Sequence, residues 1–373
     1  MTRHRLAIYV PRSTGMYERA PRRVGGAERQ MVLLARALAA RGVPVAHIVF
    51  APTAPAVDPR GPALVTRAPY EGERPVGKLK EAWHVWRALR AADSDAYLLR
   101  GASPAVSVAA LYCRLRRRRL IFSSANDLDF TLERMADRRV QRALYRWALR
   151  SASAIVVQSR RQAELAQRLG GVRRVERIAS FGDPTPEEQT PVAPEAFLWI
   201  GRLIDYKEPL RYLELARELP EARFWMIGIA NESLDYAERV RAAAAGVPNV
   251  EMLDQRPHGD TMELMRRAIA LVSTSTREGM PNVFLEAWAR GIPVLSLSFD
   301  PDDVMREQQI GIATDGDFGR FVDAARRLLQ GETGRAELAS RAREHIMRTH
   351  DPEAVGRQWL ALVEELSGAP DRR

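Results

Sequence analysis

The stretch I-A-L-V-S-T-S-T-R-E-G-M-P-N-V-F-L-E-A-W-A-R-G-I-P-V-L-S-L, residues 269–297, decides how the chain folds. It opens on a short apolar run, I-A-L-V-S (269–273), of the kind that fills a buried strand. A polar loop follows, and then Pro281. Proline suits the first turn of a helix, where its fixed φ fits and its missing N–H has no intrahelical partner to lose. A second apolar run, P-V-L-S-L (293–297), closes the unit. Strand, helix and strand at this spacing read as a βαβ unit, which builds a parallel sheet covered by helices.

The same rhythm extends in both directions. Upstream strand candidates are L-A-I-Y-V (6–10), V-A-H-I-V-F (45–50), A-Y-L-L (96–99), L-I-F-S (120–123) and A-I-V-V-Q (154–158), with helix candidates 27–41, 78–92, 104–118, 131–150 and 160–169 between them. A second set follows: F-L-W-I (197–200), R-F-W-M-I (223–227), V-E-M-L (250–253) and the two runs above, then helices over 317–330, 334–348 and 352–367. Between the sets lies F-G-D-P-T-P-E-E-Q-T-P-V-A-P-E (181–195), with four prolines and no apolar periodicity, which reads as a linker. The expectation is an α/β protein of two doubly wound, Rossmann-like domains, 1–187 and 188–350, followed by a segment 351–373. The Pro-rich stretch 51–77 reads as a long loop inside the first domain.

Charge is divided unevenly. Residues 1–190 carry 34 basic and 17 acidic side chains, the remainder 23 and 30, so a net +10 separates into +17 and −7. Arginines cluster at Arg116–Arg119, at Arg138, Arg139, Arg142 and Arg146, and at Arg173–Arg174. Such a field suits polyanions or an anionic membrane surface. The helix K-L-K-E-A-W-H-V-W-R-A-L-R (78–90) has Leu79, Trp83, Trp86 and Leu89 at helical spacing. That stripe reads either as a face laid on a membrane or as a core stripe with a basic rim. No nucleic-acid motif accompanies the charge, so nucleic acid is not an expected partner. Cys113, the only cysteine, excludes an intrachain disulfide and a cysteine-based zinc site. No run reaches the roughly 18 apolar residues of a spanning helix, and M-T-R-H-R leads straight into a strand, so the expected location is cytoplasmic, with peripheral association at the inner membrane face.

Three segments carry chemistry where strand gives way to helix. R-V-G-G-A-E-R-Q (23–30) places Gly25 and Gly26 at a helix start, where backbone amides approach an anion closely and the helix dipole favours negative charge. W-I-G-R-L-I-D-Y-K-E-P (199–209) ends a strand at Gly201 and follows it with Arg202 and Lys207, a fork and a point charge for phosphate. Lys207 is one of only three lysines (the others are Lys78 and Lys80), in a chain that otherwise uses arginine. In the opening stretch, Glu278 falls in the loop and Glu286, eight positions on, falls one to two turns into the helix. The amides of Met280, Pro281, Asn282 and Val283 mark the helix start between them, although Pro281 itself offers none. On spacing alone, two glutamates near a helix start also fit the ordinary preference of acids for that dipole end.

Together these residues resemble the retaining, nucleotide-sugar-dependent glycosyltransferases of family 4. E-G-M-P-N-V-F-L-E-A fits the E-x7-E signature, and G-G-A-E-R-Q and G-R-L-x-x-x-K stand in the family's order across residues 5–367. The resemblance implies the GT-B fold, two Rossmann-like domains facing a central cleft, with the 351–373 helix returning to the first domain. It implies that Arg202 and Lys207 hold the donor diphosphate and stabilise the leaving group, assisted by amides around Met280–Val283. Glu286 would bind ribose hydroxyls, Glu278 the transferred sugar, and Gly25 and Gly26 would close over the phosphates. The acceptor would be a hydroxyl of a glycan or lipid-linked molecule, with no metal and no cofactor beyond the sugar nucleotide.

Many members carry a histidine after the fourth or fifth strand of the first domain. Here that region is F-S-S-A-N-D-L-D (122–129), which leaves Ser124, Asn126 or Asp127 for the acceptor side. Asp93/Asp95 and Asp127/Asp129 have the spacing of a metal-binding D-x-D; the first pair precedes a strand and reads as a turn, while the second stays open. His258, in Q-R-P-H-G-D, reads as a loop or helix-cap residue. The rival readings are a sugar-nucleotide hydrolase or epimerase on the same fold, and a non-catalytic basic module that binds membranes or polyanions. Donor and acceptor selectivity would depend on loops such as 51–77 and 230–236.

Overall fold

The structure, a computed structural model, describes residues 4–17, 25–50, 61–67, 77–133, 138–182, 192–230, 234–332 and 334–368. Arg23 and Val24, most of the stretch 51–77, residues 183–191 of the linker, residues 231–233 and the tail after 368 lie outside the described residues. The chain divides into two units, residues 1–181 with 352–373 and residues 182–351.

In the first unit, the described strands are β1 (His4–Tyr9), β2 (Val45–Phe50), β3 (Ala63–Arg67), β4 (Ser94–Arg100), β5 (Arg119–Ser123), β6 (Ala154–Val157) and β7 (Val175–Arg177). They form one sheet in the order β3-β2-β1-β4-β5-β6-β7, each pair parallel. Between them run α1 (Gly26–Ala40), α2 (Lys78–Ala92), α3 (Pro104–Arg116), the single turn α4 (Leu128–Thr131), α5 (Arg139–Ser151) and α6 (Arg160–Arg168). Strand side chains alternate between two apolar layers, as a period of two requires. On β4, Tyr97 and Leu99 enter the core under α2, α3 and α5, whereas Ala96 and Leu98 enter the core on the opposite face. Burial on both faces is why these strands read as continuous apolar runs.

The opposite face is closed by α1 together with the helix Pro352–Gly368. That helix contributes Val355, Trp359, Leu362 and Val363 to the same buried cluster as Leu34 and Leu38 of α1. Ion pairs Arg41–Glu353 and Arg174–Glu365 flank it.

The described strands of the second unit are β8 (Ala196–Arg202), β9 (Phe224–Ile229), β10 (Val250–Leu253), β11 (Ala268–Ser273), β12 (Val294–Ser296) and β13 (Gly311–Ala313). Its helices are α7 (Pro209–Glu218), α8 (Leu234–Ala245), α9 (His258–Arg266), α10 (Asn282–Ala289), α11 (Val304–Glu307), α12 (Phe318–Leu329) and α13 (Arg335–Thr349). The sheet is again parallel, in the order β10-β9-β8-β11-β12-β13. Chain order therefore reverses between β8 and β11, the position at which doubly wound sheets leave a crevice beyond their carboxyl ends.

Several elements depart from the sequence reading. A-L-V-T-R, inside the stretch taken as a loop, is strand β3 at the sheet edge, with Leu64 and Val65 only partly buried. An edge strand needs no long apolar run, and the surrounding prolines hid it. Strands β7 and β13 are three residues each, too short to carry a period. Of the helix expected over 131–150, the structure describes α5 from Arg139; the single turn α4 before it ends at Thr131, and its C-cap Leu132 has a left-handed φ of 61°. The stripe on α2 is divided: Leu89 is fully buried and Trp86 packs on the core, but Leu79 and Trp83 face solvent.

Candidate active site

Eight of the candidates from sequence, Arg202, Lys207, Glu278, Met280, Pro281, Asn282, Val283 and Glu286, lie at or after the ends of the two central strands of the second sheet. Strand β8 ends on Gly201 and Arg202, and its neighbour β11 ends at Ser273. Their outgoing loops are joined by a chain of hydrogen bonds that starts in the core. The indole Nε1 of Trp199 donates to Thr274 Oγ1 at 3.1 Å, and Thr274 Oγ1 donates to the Lys207 carbonyl at 2.7 Å. Next to it, Thr276 N donates to the Tyr206 carbonyl at 3.0 Å. Gly201 is required here by space: a Cβ would stand 2.9 Å from the Trp199 ring. Lys207 ends a short 3-10 turn (Asp205–Lys207), and Glu208 then takes a left-handed φ of 44° before Pro209 opens α7. That conformation costs a non-glycine residue about 1 kcal/mol, and the neighbouring hydrogen bonds hold it.

The side chains then converge. The Lys207 ammonium is ion-paired with Glu278 Oε1, and both side chains are largely buried, at 17% and 14% exposed. Arg202 donates to the hydroxyl of Tyr206. The Tyr206 ring is a shared platform: Arg202, Lys207 and Arg277 carry their charges 5.9, 5.9 and 5.6 Å from its centroid. Cations within about 6 Å of an aromatic face are attracted by its quadrupole, so one ring gathers three positive charges that would otherwise repel.

Beyond Glu278, the chain turns at Gly279–Met280 and enters α10 with Pro281 as N-cap and Asn282 as its first residue. The first amides of any helix lack intrahelical acceptors, and they carry the positive end of the dipole. Glu286 lies in the second turn and is buried. Its Oε1 is 3.9 Å from Nδ1 of His258, the first residue of α9. The glutamate pair is thus resolved into two environments, Glu278 against a lysine and Glu286 facing a histidine on the next helix.

The first-unit candidates form their own group. Gly25 is the N-cap of α1 and Gly26 its first residue, both exposed. Gln30, in the same motif, anchors the helix: its side chain exchanges two hydrogen bonds with the Phe181 backbone, at 2.7 and 2.9 Å. Ser124, Asn126 and Asp127 follow β5 in a loop braced from within. The Asp129 carboxylate accepts from the amides of Ala102, Ala125 and Asn126 at 2.8, 2.6 and 3.2 Å, and lies 3.2 Å from Ser124 Oγ. Asn126 Oδ1 caps Leu128 N at 2.9 Å, and Asp127 pairs with Arg161 at 3.0 Å. Asp129 is therefore a loop brace, tying the ends of β4 and β5 together. Asp93 and Asp95 both pair with Arg118, at 3.1 and 3.5 Å; Asp93 lies in the turn before β4, whereas Asp95, expected in that turn, is the second residue of the strand. Among the described residues, no three or more His, Cys, Asp or Glu are grouped so as to hold a metal ion.

Comparison with known proteins decides the family. A model described as a glycosyl transferase 4-like domain matches residues 25–180, and one described as glycosyl transferases group 1 matches residues 185–345. The chain is a glycosyltransferase. Its two parallel-sheet units are those of the GT-B fold. The lipopolysaccharide core biosynthesis glycosyltransferase LpsE of Rhizobium meliloti (strain 1021) is 25% identical to this transferase over 252 residues, which cover 63% of this chain and 69% of LpsE. Among solved structures, HepE of Anabaena, in complex with UDP and glucose, superposes with a TM-score of 0.75 at 18% identity, covering 97% of this chain and 99% of HepE. Sucrose-phosphate synthase of Thermosynechococcus elongatus gives 0.78 at 18% identity, covering 99% of this chain and all (100%) of the synthase.

Sequence reading of the transferase missed Tyr206, Thr274 and Arg277 and left His258 as a cap. Tyr206 stands at a variable position of G-R-L-x-x-x-K, and Arg277 looks like one more arginine in an arginine-rich chain. Only the structure places their side chains around one ring.

Proposed function

We propose that the protein is a retaining glycosyltransferase of family 4 that moves a sugar from a nucleoside-diphosphate sugar to a hydroxyl of a glycan or lipid-linked acceptor, in the assembly of a polysaccharide or lipopolysaccharide. The observation that carries this reading is the Lys207–Glu278 pair set beside Arg202 at the switch point of the second sheet, with α10 opening next to it. The polysaccharide context is supported by the likeness to LpsE, and a uridine diphosphate sugar is the first donor to try because HepE was solved with UDP.

In this mechanism Arg202, Lys207, Arg277 and the amides at Met280, Asn282 and Val283 receive the diphosphate, with Pro281 shaping the turn. Charge on the leaving oxygen grows as its bond to the sugar's anomeric carbon breaks, and cations fixed in advance stabilise that charge most in the transition state. Lys207 has three donor hydrogens, so its bond to Glu278 leaves others for phosphate. Glu278 accepts from sugar hydroxyls beside the reacting carbon, and Glu286 accepts from the ribose. The acceptor oxygen bonds the anomeric carbon on the face the diphosphate leaves, and its proton passes to a departing phosphate oxygen. Gly25, Gly26, Ser124, Asn126 and Asp127 are assigned to the phosphate-closing and acceptor sides. No metal is assigned to the step, so a chelator should leave the rate unchanged.

The test is a thermal-shift screen of nucleoside diphosphates and sugar nucleotides, followed by NMR of the product formed from the best donor. Stabilisation by one nucleoside diphosphate and an anomeric configuration equal to the donor's are expected. An inverted product rejects the retaining assignment, and free sugar released at the same rate without acceptor favours the hydrolase. Tyr206→Phe keeps the ring but removes the hydroxyl that orients Arg202. A hydrogen bond to a charged group contributes about 1.5–3 kcal/mol at most when buried. For this partly exposed one the expected loss is roughly 3–10-fold in kcat/KM for the donor, since about 1.4 kcal/mol equals a factor of ten.

A further inference from the structure

At the carboxyl end of the first sheet, one arginine is enclosed without the partners that burial demands. Chain order in that sheet reverses between β1 and β4, so its crevice opens beside Arg100, the last residue of β4. Arg100 is in register with Ser123, the last residue of β5, and its Nη1 donates to Ser123 Oγ at 3.1 Å. Among the described residues that is its one hydrogen bond: Nε is enclosed without a partner, and the residue forms no ion pair. A guanidinium carries five donor hydrogens, and a charged donor buried unsatisfied costs free energy. The rest of the side chain is partly exposed, so the end that bears the Nη atoms is open to a ligand.

Arginines that act as struts in this chain are placed differently. Arg150 donates to the carbonyls of Leu169 and Gly170 at 2.8 and 2.9 Å, and Arg335 to those of Ala268 and Ile269 at 2.8 and 2.7 Å. Arg100 meets no carbonyl. Nor do the carboxylates around it serve as partners. Asp129 is taken up by the amides of Ala102, Ala125 and Asn126, and Glu28, in the first turn of α1, folds its carboxylate back over Gly25. Their charge reaches Arg100 but does not offset its burial, which pushes the guanidinium pKa down to about 10. Helix α3 opens three residues beyond Arg100, with no acid in its first turn and no capping bond from the side chain of its N-cap, Ser103. Its positive pole therefore lies unneutralised at the same end of the sheet.

We propose that Arg100 anchors a subsite for an acidic sugar, whose phosphate or carboxylate pairs with the open end of the guanidinium while a hydroxyl of the same sugar donates to Glu28. Resting on the transferase reading, this subsite narrows the acceptor to a glycan that carries a negative charge. A guanidinium fork takes two oxygens of a phosphate or carboxylate side by side, and such charge-assisted bonds are about twice as strong as neutral ones. A neutral hydroxyl would leave the buried charge without a counter-charge. A bare anion would set its charge beside Glu28 and give that carboxylate no hydrogen to accept. An acidic sugar supplies both an anion for Arg100 and a donor for Glu28.

The experiment is calorimetric titration of the full chain with glucose, glucose 6-phosphate and glucuronate, in the presence of whichever nucleoside diphosphate stabilises it most. The variants are Arg100→Gln, which removes the charge, and Arg100→Lys, which keeps the charge without the fork. Circular dichroism and the nucleoside-diphosphate thermal shift are controls on folding and on the second unit. One of the two acids is expected to bind the wild type roughly 10–100-fold more tightly than glucose, the range for a hydrogen bond to a charged group. Arg100→Gln should abolish that preference and Arg100→Lys retain part of it, with both controls unchanged. The acid that binds more tightly identifies the anion as phosphate or carboxylate. Equal binding of glucose and both acids by the wild type, or no binding of either acid, overturns the proposal without reference to any variant. An anion preference that survives Arg100→Gln also overturns it, and one that Lys207→Ala removes places the anion in the second unit instead. Failure of every nucleoside diphosphate to stabilise the chain counts against the transferase reading, and the same titration without nucleotide then decides the Arg100 subsite separately.

Discussion

Lys207→Ala is expected to slow sugar transfer by roughly 10²–10³-fold at saturating donor, the loss typical of removing one preorganised donor that faces developing negative charge. Two features of the site place the effect in kcat. The lysine backbone is fixed by the Trp199–Thr274–Lys207 hydrogen-bond chain and by the left-handed turn at Glu208, so the ammonium needs no reorganisation as charge develops. Its removal also strips Glu278, 14% exposed, of its counter-charge, leaving a carboxylate beside the diphosphate position. The double variant Lys207→Ala/Glu278→Gln should therefore be less impaired than the product of the two single losses, because directly paired residues are not additive. Lys207→Arg keeps the charge on a larger, planar group and should recover only part of the rate. Steady-state kinetics with the donor identified by thermal shift gives the answer. A Lys207→Ala rate within about threefold of wild type, less than about 0.7 kcal/mol on the usual conversion, removes Lys207 from the transition state.

Legibility from sequence followed the physics of each element. Strands buried on both faces, such as β1, β4 and β11, announced themselves as apolar runs, and helices with a full inner stripe, such as α1 and α3, fell within a residue or two of their expected bounds. What escaped was either short or at an edge: β3, β7 and β13 have too few buried positions to leave a pattern. Sequence could put Arg202, Lys207 and Glu278 in the segments that follow strands, and Lys207 stood out as one of three lysines. Tyr206 was not legible, since its role comes from three cations brought to one ring by two different loops. The stripe on α2 was ambiguous in principle. One helical period reports that a face is apolar, and the same pattern serves residues that enter a core, as Leu89 does, and residues that leave it, as Leu79 does.

Acidification is expected to destabilise both units, each through one buried histidine. In the first unit, His47 sits on β2 with no exposed surface. Ser13 Oγ is 3.1 Å from its Nε2, and the Tyr17 hydroxyl is 2.6 Å from its Nδ1. Ser13 already donates its hydrogen to the Val10 carbonyl at 2.6 Å, so it accepts from Nε2–H, and Nδ1 is left to accept from Tyr17. A proton added at Nδ1 would oppose the Tyr17 O–H and create a charge in an apolar setting. Burial accordingly pushes the His47 pKa down to about 3. In the second unit, His345 is buried against the Trp288 ring with neither ring nitrogen hydrogen-bonded. Burial first, then His350 and Arg348, push its pKa down to about 4. The unfolded chain takes up these protons below about pH 6.5, where free histidine titrates. The folded units refuse them until about pH 3 and about pH 4, so stability is full above pH 6.5 and falls through that window. Each histidine should cost its unit roughly 3 kcal/mol between pH 7 and pH 4, from about 1.4 kcal/mol per pH unit of mismatch. Urea unfolding at a series of pH values, fitted with separate transitions for the two units, measures it. His47→Gln should flatten the slope of the first unit alone and His345→Gln that of the second. An unchanged slope in either variant would mean that other groups, carboxylates above all, carry the acid sensitivity of that unit.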